Sequence, residues 1–391
     1  MADPTIQYND PAGSVPSTIG PQTVTAWYQK KALVEARRTQ VFMQQASVTD
    51  MPKNHGQKIE RFVYIPLLDD LNVNDQGIDG AGATIANGNL YGSSRDVGTI
   101  ASKLPLLGEA GGRVNRVGFK RRLIEGSFEK FGYFDEFTQA AMDFDSDAEL
   151  MMHINREMLN AAHEMTEAAL QIDLLGAAGV VKYAGTALAD AAVDETSLVE
   201  YRDLMNLSLD LDRNRTPKQT TQITGTRLID TRVIPNARAL YCGSELLPTL
   251  RAMKDLHGEP AFISVEHYAA GGTTLNHEAG SLDAFRVVIV PEMLRWAGKG
   301  KTTADATIHT TGGKADIFPM LVIGDQSFTT IGFQTNGKTV KFTIFHKKPG
   351  LEVADWHNPY GEIGFMSIKW FYGFMVLRPE RIGLIKTAAK I

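Results

Sequence analysis

The stretch from Ser146 to Leu175 repeats an apolar residue every three or four positions: Leu150, Ile154, Met158, Ala161, Met165, Ala168, Ile172 and Leu175. Residues spaced this way share one face of an α-helix, and Glu149, His153, Arg156, Asn160, Glu164, Glu167 and Gln171 hold another face. Ser146 and Glu149 fit a capping box, in which each side chain satisfies a free amide at the helix start; Asp145 and Asp147 favour the positive end of the helix dipole. Gly176 and Gly179 end the run. At 1.5 Å per residue the rod is about 43 Å long, far above the average helix. The rest of the chain must be arranged along it. Leu150, Ile154, Met158, Met165 and Ile172 are its expected core residues.

Ahead of this helix the texture is uneven. Residues 1–24 are polar and carry Pro4, Pro11, Pro16 and Pro21, which resist both helix and packed core, so they read as an extended arm. They lack the apolar core flanked by basic residues that a signal peptide needs. Thr25 to Ala46 follows a helical pattern through Trp27, Leu33, Val34, Val41 and Phe42, and Lys58 to Leu68 alternates like a strand through Ile59, Phe62, Val63, Tyr64 and Ile65. Between Asn72 and Gly112 there are nine glycines and no sustained period. A stretch this long without its own structure implies a functional, projecting loop. Arg121 to Phe137 then returns as a strand with Leu123, Phe128, Phe131 and Phe134.

After the long helix the pattern is mixed. A helix is expected near Ser197 to Leu211, a strand at Ala239 to Cys242, a helix at Ser244 to Lys254 and a strand at Arg286 to Val290, closed by Pro291. Ala297 to Lys314 reads as a loop. From Met320 onward strands dominate, including Val340 to Phe345, Phe365 to Tyr372 and Phe374 to Leu377.

Composition excludes several classes. With 43% hydrophobic and 22% charged residues over 391 positions, the chain can bury a large core without disulfides, and its one cysteine, Cys242, suits synthesis in a reducing cytoplasm. No run of about 18 apolar residues offers a membrane span. A net charge of −5 argues against a dedicated nucleic-acid binder, though it is compatible with a subunit that encloses DNA without gripping it. The strongest local charge feature is basic: Arg113, Arg116, Lys120, Arg121 and Arg122. These residues suit a solvated or salt-bridging edge first, an acidic patch on a neighbouring subunit second and DNA last.

Catalytic signatures fail at specific residues. Ala297 to Thr302 suggests a phosphate loop, but Arg295 stands where the first glycine is needed. Gly80-Ala-Gly82 has Ile85 in place of the third glycine of a dinucleotide fingerprint. Asp143, Asp145 and Asp147 open like a calcium loop, yet Ala148 and Ile154 occupy its glycine and glutamate positions. His163-Glu164-Met-Thr-Glu167 lacks the second histidine of a zinc helix and reads as a solvated or inter-subunit polar face. Cys242 ends an apolar strand and reads as a small buried thiol. No catalytic residue, metal or cofactor is expected. A hydrolase or oxidoreductase with its site in 185–327 is the poorer alternative, since no nucleophile and base pair there.

The residues narrow the class further. Glu60-Arg-Phe-Val-Tyr-Ile-Pro-Leu67, Leu104-Pro-Leu-Leu-Gly-Glu109, Phe128-Glu-Lys-Phe-Gly-Tyr-Phe134, the long helix and Lys182-Tyr-Ala-Gly185 follow one another in an order that resembles HK97-type phage shell proteins. The succession is similar to the major capsid proteins of large podophages that package a virion RNA polymerase. Arg286 to Pro291 and Asn358-Pro-Tyr-Gly-Glu-Ile-Gly364 resemble family segments more loosely. The resemblance covers about residues 27–380 and is firmest over 57–185; the loop between Leu68 and Leu104 is longer than the family pattern.

The resemblance implies an α+β, HK97-like capsid fold. Its expected parts are an N-terminal arm over 1–56, an extended loop with flanking strands over 57–135, a peripheral domain with the spine helix over 136–184, an inserted axial α/β domain over 185–327, and strands returning to the peripheral domain over 328–391. It further implies a shell subunit that joins its own copies in hexamers and pentamers around double-stranded DNA. Scaffolding, portal and decoration proteins would be its partners, and the virion capsid, assembled in the bacterial cytoplasm, its location. Trp27, Tyr28 and Phe42 are candidate inter-subunit anchors beside the basic run, although each taken alone reads first as ordinary core. An encapsulin-type compartment shares the same expected fold and is the nearer alternative.

Overall fold

The computed structural model describes residues 7–8, 17–18, 41–54, 56–64, 97–102, 121–144, 150–223, 231–269, 274–303, 305–333 and 340–391. Two sheets organise them. The first has seven strands in the order Ile263–Ser264, Glu278–Leu282, Phe285–Ile289, Arg238–Cys242, Phe318–Ile323, Ile382–Thr387 and Val180–Tyr183. The second runs Ser47–Met51, Phe328–Phe333, Ile363–Val376, Arg121–Thr138 and Lys58–Tyr64, with Thr343–Lys347 also paired to Ile363–Val376.

The centre of the seven-stranded sheet is buried on both faces, so its strands read as continuous apolar runs. Their side chains divide with period two. Leu240, Cys242, Met320 and Val322 pack beneath the helix Tyr201–Arg213 through Leu204, Leu207 and Leu211. Ala239, Tyr241, Leu321 and Ile323 face the core that holds the long helix.

The second sheet is built on two long strands. Arg121–Thr138 and Ile363–Val376 pair antiparallel from Ser127↔Phe374 to Thr138↔Ile363. With 18 residues, the first strand is about 60 Å long at 3.3 Å per residue. Gly373 lets the second strand pass close to its partner: a Cβ there would stand 2.6 Å from the Ser127 carbonyl oxygen. The two runs expected at Phe365 to Tyr372 and Phe374 to Leu377 are therefore one strand.

The long helix spans Leu150–Gly176; the expected capping residues Ser146 and Glu149 lie outside the described residues. Its buried line differs from the expected stripe. Met158, Ala162, Thr166, Leu170 and Leu174 are buried, spaced by four. A spacing of four winds the contact line round the axis by about 40° per step, because a turn takes 3.6 residues. The helix is thereby wedged in one core against both sheets. Of the five expected core residues Met158 is buried and Ile154 packs against the core. Met165 and Ile172 are 56% and 61% exposed, which corrects their assignment; the side chain of Leu150 lies outside the described residues. Glu167 and Gln171, expected on the polar face, are buried.

The remaining corrections follow hydrogen bonding. The tail of the helix expected to reach Ala46 is a short 3-10 turn, Phe42–Gln45, followed by a strand, Ser47–Met51, parallel to Phe328–Phe333. Val180–Tyr183 and Ile382–Thr387 complete the seven-stranded sheet, so that sheet crosses the boundaries drawn at 184 and 328. The expected helix at Ser244 to Lys254 is a 3-10 turn followed by Leu247–Arg251.

Candidate functional site

The failed catalytic signatures have structural duties. In the 297–314 segment the Gly298 N–H donates to Asp316 (2.8 Å), and Lys301 reaches Asp194 (3.1 Å), leaving that lysine committed within the chain. The Asp194 carboxyl is held down at about 2, first by the Thr196 hydroxyl and then by Lys301. Cys242 is fully buried, which pushes its thiol up to about 12 and makes it a poor nucleophile. Among the described residues no group of three or more His, Cys, Asp and Glu is placed to hold a metal, and no helix is long and apolar enough to cross a membrane.

Glu167 is the residue that sequence reasoning missed. One oxygen accepts from the N–H groups of Val41 (2.7 Å) and Phe42 (2.6 Å), and the other from that of Met43 (3.3 Å). Burial raises its carboxyl pKa, against the lowering effect of these three amides. Glu167 thus pins the point where the N-terminal segment meets the spine. Beside it the Gln45 side-chain amide bonds the Tyr241 hydroxyl, and Phe42 packs on the Tyr241 ring at 5.0 Å. Phe42 is therefore core of its own chain, which corrects its assignment as an inter-subunit anchor: at 1% exposure it has nothing to offer a neighbour.

The polar face of the spine also holds the long ribbon. The Tyr133 hydroxyl donates to the Met158 carbonyl, and that of Tyr372 to Asp173 (2.9 Å). Burial raises the Asp173 carboxyl pKa, and Glu129 adds to it, while the Tyr372 bond opposes both.

Several large apolar side chains of the second sheet stay exposed. Phe62, Tyr64, Phe134 and Phe345 stand out from it. Arg121 lies 4.5 Å over the Phe62 ring, and Lys58 meets Glu125 at 3.5 Å. Of the other basic candidates, Arg122 lies in the strand with its side chain outside the described residues; Arg113, Arg116, Lys120, Trp27 and Tyr28 lie outside them altogether. Between Thr343–Lys347 and Ile363–Val376 the chain forms a tip that presents Leu351, Trp356 and Tyr360, the tryptophan 91% exposed. The tip is rigidly tied: Gly350 N–H donates to the Gly361 carbonyl (2.7 Å), Asp355 accepts from the amides of His357 and Asn358, and the Asn358 side chain donates to the Ile363 carbonyl (2.9 Å).

Residues 124–386, from the long ribbon strand to the last strand of the seven-stranded sheet, match the phage capsid protein family. The chain belongs to that family. It is a structural protein and not an enzyme. Within the phage capsid proteins it is 63% identical over 387 residues to the major capsid protein of Pseudomonas phage KPP21, covering 98% of each chain. The fold is similar to the capsid of Ralstonia phage GP4, with a TM-score of 0.61 over 97% of this chain and 99% of that one at 11% identity. It is also similar to the capsid of cyanophage P-SCSP1u, with a TM-score of 0.52 over 93% and 92% at 14% identity. At such identities the likeness is one of fold, and the fold is the expected HK97-like one.

Proposed function

We propose that this chain is the major capsid protein of a phage whose copies join as hexamers and pentamers into an icosahedral shell around double-stranded DNA. The observation that carries the reading is 63% identity, over 98% of each chain, with a phage major capsid protein. The exposed aromatics of the ribbon and its tip supply surfaces for neighbouring copies to cover. Trp27 and Tyr28 serve as inter-subunit anchors in this reading, and Arg113, Arg116, Lys120, Arg121 and Arg122 meet acidic surface of adjacent subunits. The shell holds DNA without sequence-specific contacts. The lineage it resembles is that of the large podophages with a virion RNA polymerase, and assembly takes place in the bacterial cytoplasm.

A scaffolding protein and the portal are its assembly partners, and a decoration protein is a further one. Expressed alone, the chain should give capsomers, tubes or shells of mixed size; co-expressed with a neighbouring scaffold gene it should give one diameter. Uniform shells from this chain alone, seen by electron microscopy and light scattering, would overturn the need for a scaffold. Particles that carry a protein cargo in place of DNA and a portal would favour the encapsulin-type reading.

A further inference from the structure

Between the spine helix and the ribbon lies an open apolar groove of about 290 Å³, lined by Phe131, Tyr133, Met165, Ala169 and Trp370 among others. A cavity of about 150 Å³ already admits benzene, so this one has room for a larger aromatic side chain. Three observations restrict what fills it. Met165 is 56% exposed at the groove. The Trp370 ring is buried, yet its indole N–H has no acceptor among the described residues. Side chains alternate along the ribbon strand, so Glu129 and Asp135 share the face of Phe131 and Tyr133 and bracket the groove with negative charge. The groove thus suits an aromatic side chain that brings a backbone carbonyl and is followed by cations.

One segment of this chain has that chemistry. Trp27-Tyr28-Gln29-Lys30-Lys31 places two aromatics one residue ahead of two lysines, and Arg37 and Arg38 follow with a single acid, Glu35, among them. A chain's own N-terminal segment meets the helix at Glu167. Glu167 lies about 160° round the helix from Met165 and Ala169 at 100° per residue. Val41, Phe42 and Met43 of the same chain therefore meet the helix on the side away from the groove. We propose that the groove is a docking site for Trp27–Tyr28 of a second copy, with Lys30 and Lys31 against Glu129 and Asp135. This rests on the shell reading above.

The test uses the full chain with p-benzoylphenylalanine at position 27 in place of Trp27. The light variant and isotopically heavy wild type are made in separate cultures, mixed as unassembled subunits with the scaffold protein, and the assembled particles are irradiated and mapped by mass spectrometry. Crosslinks should join position 27 to the Met165 or Phe131 region and should pair light arms with heavy grooves. A second variant keeps Trp27: K30E/K31E should lose particle stability severalfold, and E129K/D135K in the same chain should restore it. Light arms joined only to light grooves would show that the segment docks in cis and overturn the proposal. So would normal particles whose crosslinks map elsewhere or to another protein, or charge variants without effect. If wild type forms no particles at all, it is the shell reading that fails.

Discussion

In the seven-stranded sheet, Arg238–Cys242 and Phe318–Ile323 are buried along their whole length. In the ribbon, Ile363–Val376 alternates buried and part-buried positions, and Arg121–Thr138 leaves most of its side chains exposed, Phe134 among them. The first sheet finds both of its partners, the Tyr201–Arg213 helix and the spine, within the chain. The second packs on the spine and buries a small cluster of its own, Met51, Ile124, Ile331 and Met375, while Phe62, Tyr64, Phe134 and Phe345 stay exposed. A subunit of a shell needs both: a region whose stability is its own, and a region whose apolar area is covered only on assembly.

The contrast can be broken from the inside first. Leu240→Asp should abolish soluble protein, because a charge at a fully buried position without a partner costs several kcal/mol. Met158→Asp should do the same on the spine. Soluble, assembling protein from either variant would remove the core assignment, and expression with size-exclusion chromatography checks it.

The joint between the regions comes next. Glu167→Ala leaves three amides without their acceptor, at about 1–3 kcal/mol for each that stays buried and unpaired. A chemical denaturation midpoint should fall clearly, and proteolysis should enter ahead of Val41. A midpoint equal to wild type would mean that Glu167 does not hold the segment.

The same residue gives a pH signature. Its folded carboxyl pKa is raised above the ordinary value, so the native state binds the proton more tightly than the unfolded chain. That contribution is full below the unfolded carboxylate pKa and is lost as pH rises through the folded one. Glu167→Gln should therefore gain stability relative to wild type as pH climbs through this window. Parallel stability curves for the two proteins would contradict it.

The smallest effect on the subunit is expected at the surface. Phe134→Ala, at an exposed position, should change unfolding free energy by no more than about 0.5 kcal/mol while lowering particle yield. A large loss of subunit stability with unchanged assembly would reverse the roles assigned to the two sheets.

Much of this was legible in the sequence, and the exceptions have physical causes. The strands at Arg121, Arg238, Phe285 and Phe318 announce themselves by β-branched and aromatic runs, and the long helix by its period. Met165 and Ile172 were misplaced because an apolar residue at helical spacing does not reveal that the helix is wedged, with a contact line that winds along spacings of four. Ser47–Met51 escaped notice because five mostly polar residues become a strand only through Phe328–Phe333. Glu167 could not be read as a clamp, since a carboxylate bonding backbone amides 124–126 positions away leaves no local pattern. A weak signal was present: it sits beside Thr166 and three residues before Leu170, inside the buried line.

The most direct test of the shell reading is the size of what the full chain forms when co-expressed with its scaffold gene. Sedimentation velocity with electron microscopy should show hollow particles of megadalton mass and one diameter. A chain that stays a monomer or a small oligomer under those conditions, with its ribbon aromatics exposed and stable, would contradict the account.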